Sequence, residues 1–170
     1  MNPIVGFAPI ADAQARILIL GSMPGVESLA QHQYYAHPRN SFWYIMARIL
    51  GVDETLSYAQ KTQTLRAHRI ALWDVLNSCI REGSLDTAID SGSIIVNDFA
   101  QFFVAHAHIT HVFFNGQKAA QEYRKRVMPT LTAHAAGLHY VTLPSTSPAM
   151  ASLHRDKKLD AWRQALRVNY

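Results

Sequence analysis

Residues 17–43, ILILGSMPGVESLAQHQYYAHPRNSFW, decide the fold. The first four are aliphatic, Ile17 to Leu20, and glycine follows. That is the signature of a short strand buried on both faces. The chain then bends at Gly21-Ser22-Met23-Pro24-Gly25. Tyr34, Tyr35, His37, Arg39 and Asn40 crowd the next few positions. From residue 41 the apolar Phe42, Ile45, Met46, Ile49 and Leu50 recur at helical spacing, and Gly51 suits a helix stop. Strand, crowded loop and amphipathic helix make the first unit of an α/β domain.

The rest of the chain repeats that alternation. Residues 1–15 read as a lead-in arm and residues 16–20 as the first strand. Residues 54–68 predict a polar helix, and 69–75, RIALWDV, a second strand. Residues 77–93 carry no period and read as irregular. Asn97 or Asp98 can cap a helix through Phe99, Phe102, Phe103 and Ala107. Residues 110–114, THVFF, predict a third strand. A helix over 117–128 is stopped by Pro129, and 139–143, HYVTL, is a fourth strand. Residues 155–168 form a final amphipathic helix with Leu159, Trp162, Ala165 and Leu166 on one side. Short apolar strands separated by helices predict an α/β fold, a central four-stranded parallel sheet with helices on both faces. Crossovers should be right-handed. No linker or repeat divides the chain, so residues 1–170 are expected to form one domain.

Ligands of such sheets bind outside the carboxyl ends of the strands. That rule gathers four loops at one edge, residues 21–40, 73–78, 115–118 and 144–154. They hold most of the unusual polar residues.

Composition narrows the function classes. The 170 residues carry a formal charge of +4 and 49% hydrophobic residues, with a sequence pI of about 9.4. A mild basic excess suits a polyanionic partner. The single cysteine, Cys79, excludes an internal disulfide and any centre ligated by several cysteines. It fits a reducing, cytoplasmic setting. No apolar run approaches the ~20 residues that span a membrane. The N-terminus shows no basic segment ahead of an apolar core, so no secretory signal is expected. His106, His108 and His111 lie close together, but no acid or cysteine joins them at ligand spacing, so no metal is expected.

Five pieces, each at a strand end, form a recognisable set: GSMPG, YYAHPRNSFW, ALWDVL, FFNGQKA and LPSTSPAMAS. In this order they resemble the uracil-DNA glycosylase superfamily, most of all its hypoxanthine-DNA glycosylase (DNA-deoxyinosine glycosylase) branch. The resemblance covers nearly the whole chain. It implies a three-layer α/β/α domain that hydrolyses the N-glycosidic bond of a flipped, deaminated base in DNA. Hypoxanthine is the first expectation, with uracil or xanthine as alternatives in the same fold. A binding protein that has lost its chemistry is the alternative of another class. No cofactor is implied, and a monomer is expected. Relatives that hydrolyse uracil fast carry Asp in the first-strand loop, and mismatch-specific relatives carry Asn. Here that loop has Ser22 and Met23. The resemblance to the hypoxanthine branch places the catalytic Asn later, at Asn40.

The chemistry of base excision assigns candidate roles. The base must leave the stack, and its bond to sugar breaks through an oxocarbenium-like transition state. Tyr35 is the candidate stacking platform, a contact worth ~1–3 kcal/mol; covering a helix is its plainer role. Asn40 can position water through its side-chain carbonyl, and can equally cap the helix that follows. Gly21 lets the backbone approach a base closely, so the N–H groups of Ser22 and Met23 can donate to it. Asp74 ends the second strand, where relatives present a residue to the base; it serves a base edge bearing N–H or is a structural anchor. Asn115 and Lys118 stand at a strand-to-helix turn suited to the base or a phosphate. Ser145 and Ser147 resemble the superfamily's minor-groove loop, and Met150 its wedge. His37, Arg39 and Arg155 are further candidates for DNA contact.

Overall fold

The computed structural model describes residues 1–131, 133 and 137–167. Its elements in chain order are β1 (Ile4–Val5), β2 (Ile17–Gly21), α1 (Val26–Gln31), α2 (Phe42–Leu50), α3 (Tyr58–Ala67), β3 (Ile70–Asp74), β4 (Leu76–Cys79), β5 (Ile95–Val96), α4 (Phe99–Ala105), β6 (His111–Asn115), α5 (Gln117–Glu122), β7 (His139–Leu143) and α6 (Arg155–Arg167). Val168, expected as the last residue of the final helix, lies outside the described residues.

A four-stranded parallel sheet runs in the order β3-β2-β6-β7. Its register pairs Gly21 with Asp74 and Asn115 with Leu143, so the strand ends align at one edge. The all-apolar strands explain the layers. Ile17, Ile19, Ile70, Leu72 and Phe113 pack with Phe42, Ile45, Met46, Leu65, Leu159, Trp162 and Leu166 on one face. Leu18, Leu20, Ala71, Trp73, Val112 and Phe114 meet Phe99, Phe102, Phe103, Ala119, Ala120 and Tyr123 on the other. The period-2 alternation thus divides one sheet between two helical layers, α2, α3 and α6 against α4 and α5. Trp162 is fully buried and meets Phe42 edge-on with ring centroids 6.0 Å apart. Burying one such side chain contributes about 1.5–3 kcal/mol.

Several boundaries differ from expectation. Three strands begin one residue later than predicted, because Arg69 takes a left-handed φ of 59° and turns the chain into β3, and because Arg16 and Thr110 lie outside the ladder. The helix expected from residue 54 begins at Tyr58, where Ser57 and Gln60 form a capping box. Pro129 does not stop a helix at residue 128. The α-helix ends at Glu122, a π-helical turn occupies Tyr123–Val127, and Pro129 sits at the start of a 3-10 turn, Met128–Thr130. The short α1 was not foreseen. The stretch read as irregular contains all of β4 but its first residue, and β4 pairs antiparallel with β1 and β5 in a second, three-stranded sheet. The N-terminal arm is therefore structural. Besides β1, Ile10 exchanges two 2.8 Å hydrogen bonds with Leu72 on the outer side of β3.

Candidate active site

The order β3-β2-β6-β7 reverses direction beside β2, which places a ligand crevice at the carboxyl ends of β2 and β6. A cleft of about 430 Å³ opens there. Of the residues singled out from sequence, Gly21, Ser22, Met23, Tyr35, His37, Asn40, Asp74, Asn115, Ser145, Ser147 and Met150 all line it. Arg39, Lys118 and Arg155 are not in its wall.

The bend after β2 is held from behind. The Gly21 and Ser22 carbonyls accept from the N–H groups of Val75 and Leu76 at 2.8 and 3.0 Å. The Pro24 carbonyl accepts from Arg81 Nη2 at 2.6 Å. Because a trans peptide sets C=O and the next N–H in opposite directions, the N–H groups of Ser22, Met23 and Gly25 point away from those partners. A side chain at residue 21 has no room. A Cβ there would stand 2.6 Å from Asp74 Oδ1 and 2.8 Å from the Tyr35 hydroxyl oxygen.

Tyr34 and Tyr35 divide their labour. Tyr34 is buried, and its hydroxyl donates to the Ala8 carbonyl at 2.8 Å. It is a strut under the loop and also reaches the cleft wall. Tyr35 has a left-handed φ of 54°, costly for a non-glycine residue. Its ring is half-buried and lies on Phe42, centroids 4.2 Å apart. Its hydroxyl is buried without a hydrogen-bond partner. Burial, with the Asp74 charge adding, pushes its ionisation well above the ordinary phenol range.

Asn40 Oδ1 accepts from the Phe42 N–H at 2.9 Å, so the side chain does satisfy the start of α2 while lining the cleft. His37 Nδ1 accepts from the Arg39 N–H at 3.1 Å, which shapes the turn and leaves Arg39 exposed. The 145–150 loop is tied down from three sides. Asn115 binds Thr146, the Ser41 N–H donates to the Thr146 carbonyl at 3.0 Å, and Lys158 Nζ donates to the Ser147 carbonyl at 3.1 Å. Lys158 is buried and burial pushes its ammonium down; it is an anchor for the loop. Lys118 pairs with the buried Glu122 at 3.1 Å. Arg155 lies exposed over the Tyr44 ring, 4.2 Å from its centroid.

Sequence reasoning missed the wall opposite. Ser84, Leu85, Asp86 and Thr87 reach the cleft from the former irregular stretch. Asp86 accepts from Ser22 Oγ at 2.7 Å, so a carboxylate does reach the first-strand loop, from 64 residues away. Leu85 is 55% exposed at the rim. Arg81 is buried behind the wall, with Nη1 unpaired, and burial pushes its guanidinium down. No periodicity marks these residues; only a long-range pairing of β4 could have placed them. Among the described residues no three His, Cys, Asp or Glu side chains gather as a metal site, and no helix is long and apolar enough to cross a membrane.

Fold and cleft together define a doubly wound α/β domain with a polar-rimmed cleft of about 430 Å³ at its switch point. The chain belongs to the uracil DNA glycosylase superfamily, whose family model matches residues 8–167. It is 36% identical over 165 residues to a protein of Methanosarcina acetivorans named hypoxanthine DNA glycosylase, covering 95% of this chain and 97% of that one. A hypoxanthine DNA glycosylase of Methanosarcina barkeri is 39% identical over 117 residues, covering 68% of this chain and 73% of its own. The solution NMR structure of a candidate uracil DNA glycosylase from Methanosarcina acetivorans superposes with a TM-score of 0.80 at 34% identity, covering 98% of each chain.

Proposed function

We propose that this protein is a monofunctional DNA glycosylase that excises hypoxanthine from deoxyinosine and leaves an abasic site. The observation that carries the reading is that Tyr35, Asn40 and Met150 line one cleft at the carboxyl edge of the sheet. The names of the two relatives above favour hypoxanthine. The flipped base stacks on Tyr35, its edge faces Asp74 and the bend at residues 21–25, and Asn40 positions water at the sugar. Asn115 contributes to the base pocket chiefly by holding Thr146. Ser145, Ser147 and Met150 grip the strand and fill the gap left by the base, while His37, Arg39, Lys118 and Arg155 serve the phosphates. The working form is a single-domain monomer in the cytoplasm.

Duplex oligonucleotides holding one inosine, uracil or xanthine, incubated with the protein and then cleaved with alkali, test this. Strand breaks at inosine, exceeding those at uracil and xanthine, are expected. No break at any of the three would sink the reading.

A further inference from the structure

Asp74 ends β3 inside the cleft almost uncompensated. It is 4% exposed, and Oδ2 is buried without a hydrogen-bond partner. The ion pairs among the described residues do not include it. Four groups bear on it from neighbouring segments. The Tyr35 hydroxyl and Asp74 Oδ1 both crowd the space over Gly21, and the Tyr34 phenol is near enough to feel the Asp74 charge. Asp86, from the 3-10 turn Asp86–Ala88, adds a like charge. Arg81, beyond β4, opposes that charge, but two of its nitrogens are engaged with the Gly83 and Pro24 carbonyls. Burial first, and Asp86 second, push the Asp74 carboxyl up to about 7. Near neutrality, then, an acid with a transferable proton stands in the wall of the cleft. Two carboxyls in one site, one buried and one exposed, is an arrangement that divides acid and base roles.

Resting on the hypoxanthine reading above, we propose that Asp74 is the general acid that protonates the departing purine. The C1′–N9 bond breaks and its electron pair passes to the purine. The Asp74 proton bonds to N7, so the base leaves as neutral hypoxanthine. Water adds through oxygen to C1′, and the proton it loses returns through solvent to the Asp74 carboxylate. Uracil has no N7 to accept this proton. The acid is therefore a device that favours purine over pyrimidine. Its contribution is of order 10²–10⁴-fold in rate.

Single-turnover excision from inosine duplex between pH 5.5 and 8.5 tests the assignment. The wild-type rate should fall above about pH 7, approaching tenfold per unit. Asp74→Asn should lose about 100-fold or more on inosine, lose much less on uracil, and show no such fall with pH. Wild-type rate, or the wild-type pH profile, in Asp74→Asn overturns the acid. Should that variant fail to fold, the wild type decides: 7-deaza-deoxyinosine, which lacks the N7 acceptor, must resist excision, and its cleavage at the inosine rate overturns the proposal. A wild type that cuts inosine at a pH-independent rate keeps the hypoxanthine reading and removes the acid. One that never cuts inosine removes both.

Discussion

Asn115 and Thr146 hold each other by two reciprocal hydrogen bonds. Asn115 Nδ2 donates to Thr146 Oγ1, and the Thr146 N–H donates to Asn115 Oδ1, both at 2.9 Å. Thr146 is fully buried, so removing its partner strands a buried donor and acceptor. Asn115→Ala should cost about 2–6 kcal/mol, since each of the two stranded groups costs ~1–3. Thermal and urea unfolding measure this. Excision should also fall, because the 145–150 loop loses its tie to the sheet. Unchanged stability would show that the pair is dispensable.

Gly21→Ala tests the closeness of the site. The new methyl would collide with Asp74 and Tyr35 at 2.6 and 2.8 Å. Both are held by packed neighbours, so one must shift. Excision should fall at least about tenfold, because misplacement by ~1 Å can cost 10²-fold. The melting temperature should drop only modestly, as the backbone there does not require a positive φ. Wild-type activity in this variant would mean that neither side chain needs its present place.

Asn40 has a capping contact and a proposed catalytic one, and two variants separate them. Asn40→Ser keeps a cap acceptor but is too short to reach a water over the sugar; it should hold stability within about 0.5 kcal/mol of wild type and lose about 100-fold in rate. Asn40→Ala should lose the rate and about 0.5–2 kcal/mol of stability as well. If Asn40→Ser cuts inosine at full speed, Asn40 is a cap only.

The Asp74 carboxyl also makes stability depend on pH. An unfolded Asp titrates near 3.9, whereas Asp74 in the folded chain titrates at about 7. Between those values the folded state keeps a proton that the unfolded state has lost. Its stabilising effect is complete below about pH 4 and is lost as pH rises through 7, by up to about 4 kcal/mol. Denaturant unfolding of wild type should show this decline between pH 4.5 and 8. Asp74→Asn should flatten it and be the more stable protein at pH 8. Equal pH slopes in the two proteins would show that Asp74 is ionised throughout.

The parallel sheet was legible because its strands are aliphatic runs ended by polar residues, and the carboxyl-edge rule then named Gly21, Asp74 and Asn115 without further information. The contact of Asn40 with the start of α2 was legible too. Three things were not. The segment from Arg81 to Thr87 is placed by β4 and its two-residue partners β1 and β5, strands too short to show a period. The engagement of Asn115 depends on Thr146, 31 residues away. The left-handed backbone at Tyr35, which carries its hydroxyl over Gly21, follows from packing on Phe42 and not from local preference.

The arm before β2 covers an edge at which another chain could pair. β3 is an outer strand of the four-stranded sheet, and an open outer strand invites pairing with another chain. Ile10 occupies both hydrogen-bonding groups of Leu72 there, and the Phe7 carbonyl accepts from Trp73 Nε1 at 3.0 Å. A chain trimmed to begin at the first long strand would keep every residue of the cleft and yet present a bare, apolar β3. Such a truncation should aggregate more readily than the full chain, which light scattering of the two would measure.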